Sequence, residues 1–395
     1  MTYDPTSYTS AQPYTETREI GFFERVGAAL IGIPLGILLI FFPVAVLWWN
    51  EHRNVEMQQA IDHALQTVVT VPAATLAVAN DGRLVHVVGV ATASAVTDPT
   101  FGVTLPSMVA AQRQVEMYQW REQRSAKTTT NFGGSQTEVT TAQYDRVWSS
   151  DWLNSDAFLV PTGHRNPPMP APSALLAADD AKLGAFRLGT TTVGALLQNA
   201  PEAGGKAWFA SGFQEVRPDK PPAGFAVDPA GGLYHGKDPA DPAVGDVRLR
   251  YAGVPAGKTL TVVARQSGEG FTDFPIARDT GILLAAVGEY SAETLLDREA
   301  DAMATLTWLL RLAGVIVMWI GFMLLLGPLA VLVSVLPFLG TLVEGLTADI
   351  AFALALTLGA VTIAVAWLFV HPLVSVAMIV ATLVVGGGYV YLRRS

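Results

Sequence analysis

VGAALIGIPLGILLIFFPVAVLWW, from Val26 to Trp49, carries no charged residue, and its reading decides the fold. A hydrocarbon core about 30 Å thick needs roughly 20 apolar residues in helix to cross it, so this stretch can span a bilayer. Three further apolar stretches crowd the other end of the chain. Leu312–Leu326 is extended backwards by Met303–Leu310 around a single Arg311, and Ile350–Val370 is parted from Leu373–Leu392 by His371-Pro372 alone. From Leu312 to Leu392 the only formal charges are Glu344 and Asp349, which disfavours buried core helices of a soluble protein. In lipid each backbone polar group must bond within its own segment, so helices are the expected form. The fold class that follows is integral membrane α-helical, with four transmembrane helices and a large β-rich α+β extramembrane domain inserted between helices 1 and 2. The boundaries read as a disordered tail at 1–20, helix 1 at 21–50 and the large domain at 51–300. Helix 2 follows at 301–327, a loop at 328–349, helix 3 at 350–370, and helix 4 with a short tail at 371–395.

Composition agrees with that division. The chain of 395 residues is 51% hydrophobic but only 15% charged, against roughly 25% in ordinary globular domains. Formal net charge is −9, and residues 51–300 hold 20 Lys and Arg against 27 Asp and Glu. A mildly acidic domain argues against nucleic acid as its partner. With no cysteine anywhere, disulfides, thiolate catalysis and thiolate metal sites are excluded. The run after Arg25 is longer than a signal-peptide core and ends in Trp48-Trp49-Asn50-Glu51 without a small-residue cleavage site. It reads as a signal anchor, with both tryptophans in an interfacial aromatic belt. Arg18, Arg25, Arg393 and Arg394 flank the spans on the side of the termini, against Arg53, Arg298 and Arg311 opposite. That bias places the termini in the cytoplasm and the large domain outside it.

Within the large domain the period changes from helix to strand. Met57, Ile61, Leu65 and Val68 keep helical spacing after the first span, whereas Arg83–Val90 is a β-branched run. Gln114–Arg121 alternates Val115, Met117 and Gln119 with Glu116, Tyr118 and Trp120. Thr137–Trp148 returns after the turn-forming Asn131–Ser135, so the two runs predict a hairpin with one buried face, taken to be that of Tyr118 and Trp120. Pro161–Pro172 reads as an irregular loop and the Ala/Leu-rich Ser173–Leu188 as a helix. Asp246–Tyr251 and Thr259–Gln266 predict a second hairpin around Gly253–Gly257. Ser291 is placed to cap a helix that continues into the second span. No internal repeat is present.

The search for chemistry finds little. There is no HExxH, GxSxG or GxGxxG ahead of a helix. Gly253–Thr259 is one residue short of a phosphate-binding loop and is followed by β-branched Thr261-Val262-Val263, so it reads as a turn. None of the six histidines lies three to five residues from another, and no local metal pair exists. A site assembled from distant residues would draw on His86, Tyr118, His164 and Tyr234; the blander reading is that such histidines are satisfied in strands or at the surface. No cofactor is expected. Arg311, near a segment end, is expected to snorkel to the interface. Gly32 and Gly36 form a small-xxx-small pattern that lets helices approach closely, either in a second copy or in the chain's own later spans.

Several strings, in order, resemble one family. They are Asn50-Glu51-His52-Arg53, Gly82–His86, Asp98–Val103, Val115-Glu116-Met117-Tyr118-Gln119-Trp120, Trp148, Asn154-Ser155, Gly163–Pro167, Tyr234-His235, Val244–Arg248 and Val262–Gln266. Together they resemble the LUMA family (transmembrane protein 43) over roughly residues 20 to 392. The resemblance implies four spans, a lumenal large domain, and residence in the endoplasmic reticulum and inner nuclear membrane of animals. It also implies a non-enzymatic scaffolding role through self-association and membrane-protein partners, with no catalytic residues to carry over. The Ala/Pro-rich insertions and the amino-terminal tail depart from the family and are bacterial in style, which points to the plasma membrane. The expected partners are the lipid bilayer, further copies of the chain in a homo-oligomer, and other membrane proteins, with no nucleic acid. The alternative function is a membrane-bound enzyme or lipid-handling protein built on the four distant side chains.

Overall fold

The computed structural model describes residues 14–198, 213–229, 231–277, 280–333, 337–367 and 380. The chain divides into two compact units. The first comprises Met1–Tyr14, Ala60–Gln123 and Ala142–Glu299; the second comprises Thr15–Gln59, Arg124–Thr141 and Ala300–Ser395.

Two eight-stranded sheets organise the β structure. The first runs in the order β1 (Tyr14–Ile20), β7 (Gln136–Ser149), β6 (Met108–Thr130), β14 (Val247–Pro255), β13 (Leu233–His235), β12 (Ala226–Val227). β8 (Ala174–Ala177) adds to β6 and β11 (Gln214–Val216) to β14. The second runs β10 (Phe186–Arg187), β9 (Lys182–Leu183), β3 (Leu84–Thr92), β15 (Thr259–Ser267), β18 (Thr280–Val287), β17 (Phe274–Ala277). Here β2 (Val69–Pro72) lies parallel to β3, and β16 (Gly270–Thr272) pairs with β15. β4 (Ala95–Asp98) and β5 (Val103–Pro106) form a small hairpin. The helices are α1 (Phe22–Thr67), α2 (Thr190–Gln198), α3 (Ala292–Val333) and α4 (Pro337–Trp367).

The core of the first unit follows from strand periodicity. Val115 and Met117 of β6, Leu249 and Tyr251 of β14, Val85 and Val87 of β3, and Val262 of β15 join one buried apolar cluster fed by both sheets. In β6 the buried side is therefore Val115, Met117 and Gln119, while Tyr118 and Trp120 are only half-buried. The expected hairpin of β6 with β7 is present, but its inner face is the opposite of the one expected.

Three other expectations are corrected in this unit. Ser173–Leu188 is not a helix but contributes β8, β9 and β10. Gly184 sits at φ +60° with the Ala73 carbonyl oxygen only 2.2 Å from where a Cβ would stand. A left-handed, backbone-crowded turn of this kind interrupts a helix and requires glycine. β14 and β15 are strands as expected but do not pair with each other: β14 joins β6, and β15 joins β3 and β18. Between them the Ala256 N–H donates to Ser107 O and the Gly257 N–H to Ala91 O, both at 2.8 Å, so the chain turns a corner between sheets. Finally, Tyr14–Ile20 is not part of a disordered tail but the strand β1.

Among the described residues, three helices are long and apolar enough to cross a membrane: Phe22–Thr67, Ala292–Val333 and Gly345–Trp367. The expected fourth span, Leu373–Leu392, lies outside the described residues. Residues 328–349, expected as a loop, are largely helical: α3 carries Pro328 internally and reaches Val333, and α4 opens on Pro337, where a missing N–H costs no helical bond. Leu47, Met318 and Ala355 form the buried centre of the helix packing. Gly36 meets α3 so closely that a Cβ would stand 2.8 Å from Gly321 O, and Gly32 faces Leu324. The Gly32/Gly36 face thus packs on a later helix of the same chain. Leu35, Leu38 and Phe42 remain exposed, as a lipid-facing surface requires.

Candidate functional site

Strand alternation sends Glu116, Tyr118 and Trp120 to the side of β6 away from the core. Trp148 of β7 lies 5.2 Å from Tyr118 and 6.2 Å from Tyr234 of β13, ring centre to ring centre. Arg248 of β14 holds its guanidinium carbon 4.0 Å from the centre of the Trp148 ring. Arg146 of β7 spans Tyr118 and Trp120 at 5.9 and 5.5 Å. His164, from the loop after β7, meets Trp120 edge-on at 4.8 Å and stacks on Tyr144 at 3.9 Å. The result is a row of π faces and cations along one sheet face. Exposed cation–π contacts contribute only about 0.5–1 kcal/mol each, so the row is held by many small terms.

Hydrogen bonds fix the ends of the row. Asn166 accepts from the Trp120 N–H at 2.7 Å and donates to Trp120 O at 2.9 Å and Leu153 O at 3.0 Å. Tyr144 donates to Glu122 at 2.6 Å, and His164 Nδ1 lies 3.0 Å from Val160 O. Tyr234 donates to Asp246; burial first, then that carboxylate, push its phenol well above the usual tyrosine range, so it stays a donor. Burial also raises the Glu116 carboxyl, with Arg248 and Arg250 only partly offsetting it.

Of the residues singled out in the sequence, Tyr118, His164 and Tyr234 converge on this face. His86 does not. It is buried in β3, with Nδ1 3.1 Å from Thr70 Oγ1 and Nε2 2.9 Å from Tyr290 O, a satisfied structural histidine. Trp120, Arg146, Trp148 and Arg248 complete the row and were not among the expected site residues. Their signal was present: Tyr144, Arg146 and Trp148 recur at period two, as do Tyr118 and Trp120. A groove of about 450 Å³ between Ala178, Arg187 and Glu269 contains none of the four. No group of His, Cys, Asp or Glu among the described residues is arranged to hold a metal ion.

Two buried ionic clusters support the units from within. In the first unit Arg113 donates to Asp98 at 2.7 Å and to Pro172 O at 2.9 Å, and Tyr251 donates to the other Asp98 oxygen at 2.7 Å. Burial raises the Asp98 carboxyl, but the Tyr251 and Arg113 bonds outweigh it and hold the group below its ordinary value. In the second unit Arg311 does not snorkel. It makes a two-pronged pair with Glu51 at 2.7 and 2.6 Å, and Trp367 donates to the same carboxylate at 2.6 Å. Glu51 is 1% exposed, and a planar guanidinium is the cation that matches a buried carboxylate fork. Beside it Asn50 reaches Thr307 O at 3.5 Å and Arg53 reaches the Met303 sulfur at 3.4 Å. Asn50, Glu51 and Arg53 of the Asn50-Glu51-His52-Arg53 string therefore tie α1 to α3.

Apolar membrane-capable helices joined to a large β-rich region define an integral membrane protein. The family model described as Transmembrane protein 43 matches residues 117–372. The chain is 32% identical to Transmembrane protein 43 of Homo sapiens over 378 residues, covering 92% of this chain and 89% of that protein. It is 31% identical to the Mus musculus protein over 91% of this chain and 89% of that one. It is 29% identical to the Transmembrane protein 43 homolog of Drosophila melanogaster, over 88% and 90%. The chain belongs to the transmembrane protein 43 family. No solved structure matches it.

Proposed function

We propose that this protein is a non-enzymatic membrane scaffold that self-associates and docks other membrane proteins on the aromatic and arginine face of its first sheet. The observation that carries this reading is the row from Arg248 through Trp148, Tyr118, Arg146 and Trp120 to His164. Aromatic and arginine side chains dominate the energetic centres of protein interfaces, and here they are already held in place before any partner arrives. Family membership supports a role in the membrane, and the arginine bias around the spans supports cytoplasmic termini, with the large domain outside in a plasma membrane.

The test is a photo-crosslinking residue in place of Arg146 in the full chain, in native membranes, with Gly82 as the control site. Adducts to membrane proteins should form at Arg146, and Trp148→Ala should reduce them at least several-fold. Equal yields from the two sites, or yields indifferent to Trp148→Ala, would overturn the docking role.

A further inference from the structure

The charge-free run of α1 ends at Trp49, and the charges that follow it are ordered by height. Glu51 comes first and is already neutralised by Arg311, with Trp367 on the same carboxylate. Arg53 is the next cation. Four residues past Trp49, it stands about 6 Å further out at 1.5 Å per residue. That height falls within a headgroup layer about 5–8 Å deep on each side of the hydrocarbon. Arg53 is half-buried, with its guanidinium 5.6 Å from the centre of the Trp49 ring and 3.4 Å from the Met303 sulfur. A ring face and a thioether satisfy little of a group with five N–H donors and a full charge. The carboxylates nearest in sequence are engaged elsewhere, Glu51 with Arg311 and Glu56 with His52.

Beyond Arg53 the sign reverses. Trp49, Arg53 and Glu56 share one face of α1, because side chains three and four apart are neighbours. Glu56 meets His52 at 3.1 Å with both side chains exposed, and so open a pair contributes little. On α3, Asp301 precedes Trp308 by seven residues, as Glu56 follows Trp49 by seven. Both tryptophans are exposed, as anchors at an interface are, and both acids are exposed as well. One cation without an anion thus lies at phosphate height, with carboxylates on two helices outside it.

We propose that Trp49, Arg53 and Glu56 form a site for one phospholipid of the ethanolamine class, its phosphate on Arg53 and its ammonium on Glu56. The order fits: such a lipid carries its phosphate towards the hydrocarbon and its ammonium towards water. Side chains three apart on a helix stand about 5–6 Å from Cβ to Cβ, a gap that a phosphate and an ammonium joined through two carbons can bridge. The guanidinium fork matches two phosphate oxygens, and the Trp49 ring steadies it. The ammonium donates N–H bonds to the Glu56 carboxylate in place of the imidazole. A choline headgroup has no N–H to give, and a glycerol headgroup brings no cation to Glu56 and Asp301. This site goes beyond the scaffold reading and shares no residue with the docking face.

The test uses the full-length protein, extracted in a maltoside detergent and stripped of bound lipid. It is offered phosphatidylethanolamine, phosphatidylcholine or phosphatidylglycerol with identical acyl chains, and the lipid retained per chain is read by native mass spectrometry. The wild type should keep one phosphatidylethanolamine and at least several-fold less of the other two. Equal retention of all three would overturn the site with no substitution made. Arg53→Gln should abolish retention and Arg53→Lys restore part of it, while Glu56→Gln should bring phosphatidylethanolamine down to the level of phosphatidylcholine. Asp62→Asn, which removes an exposed acid six residues further along α1, should behave as wild type. Full retention by Arg53→Gln, an unchanged preference in Glu56→Gln, or an equal loss in Asp62→Asn would each overturn the assignment.

Discussion

In β15 five successive residues, Leu260 to Ala264, are buried, whereas in β6 burial alternates from Arg113 to Gln119. The second sheet is thus covered on both faces at its centre, and the first has one face turned outward. The contrast explains the fates of two histidines. His86, in the covered sheet, has both ring nitrogens occupied by Thr70 and Tyr290. His164, equally buried but under the first sheet's outer face, has its Nδ1 at Val160 O and its ring packed on Tyr144 and Trp120. A sheet buried on both sides holds the fold, and a sheet with a free face is where recognition has room to occur.

The contrast can be broken first at the charge buried beneath the first sheet, between β4, β6 and β14. Arg113→Ala strands Asp98 without its cation, which should cost about 3–5 kcal/mol in denaturant unfolding; a cost under about 1 kcal/mol would show that the site is not sealed. Next comes the sidedness of β6. Met117→Ala should cost about 2–5 kcal/mol, and Trp120→Ala, half-buried, about 1–3 kcal/mol. Equal losses would mean that the outer face is as enclosed as the inner one. Smaller again is the histidine pair. His86→Ala leaves Thr70 and Tyr290 without their partner, at about 1–3 kcal/mol, while His164→Phe keeps the ring stack and should change the melting temperature little.

The smallest effect is one of pH. The Glu116 carboxyl is raised above 4.5 in the folded chain, so below pH 4.5 both states are protonated and it has no effect. As pH climbs from there towards the folded value, the unfolded state ionises first and stability falls. Glu116→Gln should therefore raise the melting temperature slightly at neutral pH and not at pH 4. Asp98 runs the other way: its contribution is present above 3.8 and is lost as pH falls through the lower folded value. An identical pH profile for wild type and Glu116→Gln would remove the electrostatic distinction between the faces.

Much of this layout was legible because it rests on periodicity. Val26–Trp49 announces a span by its length, and Gln114–Arg121 announces a strand by its alternation. Alternation says that two faces differ, but not which lies inside. Trp120 is the larger apolar group, yet Val115 and Met117 face the second sheet. Pairing was least visible. Asp246–Tyr251 and Thr259–Gln266 look like a hairpin in sequence, and only the bonds of Ala256 and Gly257 to Ser107 and Ala91 send them to separate sheets. The same holds for Glu51 and Arg311, 260 residues apart: each alone resembles an interfacial charge, and only helix packing makes them a pair. Ser173–Leu188 misled through composition, since alanine and leucine favour helix while Gly184 forbids it.

The side-chain amide of Asn166 imitates a one-residue strand, giving and taking a hydrogen bond at Trp120. Its chemical durability follows from its neighbour. Spontaneous loss of an asparagine amide proceeds by attack of the next residue's backbone nitrogen on the side-chain carbonyl, and the next residue here is Pro167, which has no N–H. Conversion to aspartate would set a second acceptor against the Trp120 carbonyl and repel the loop that carries His164. The proline thus acts as a safeguard against ageing, keeping intact the amide that holds the Trp120 backbone.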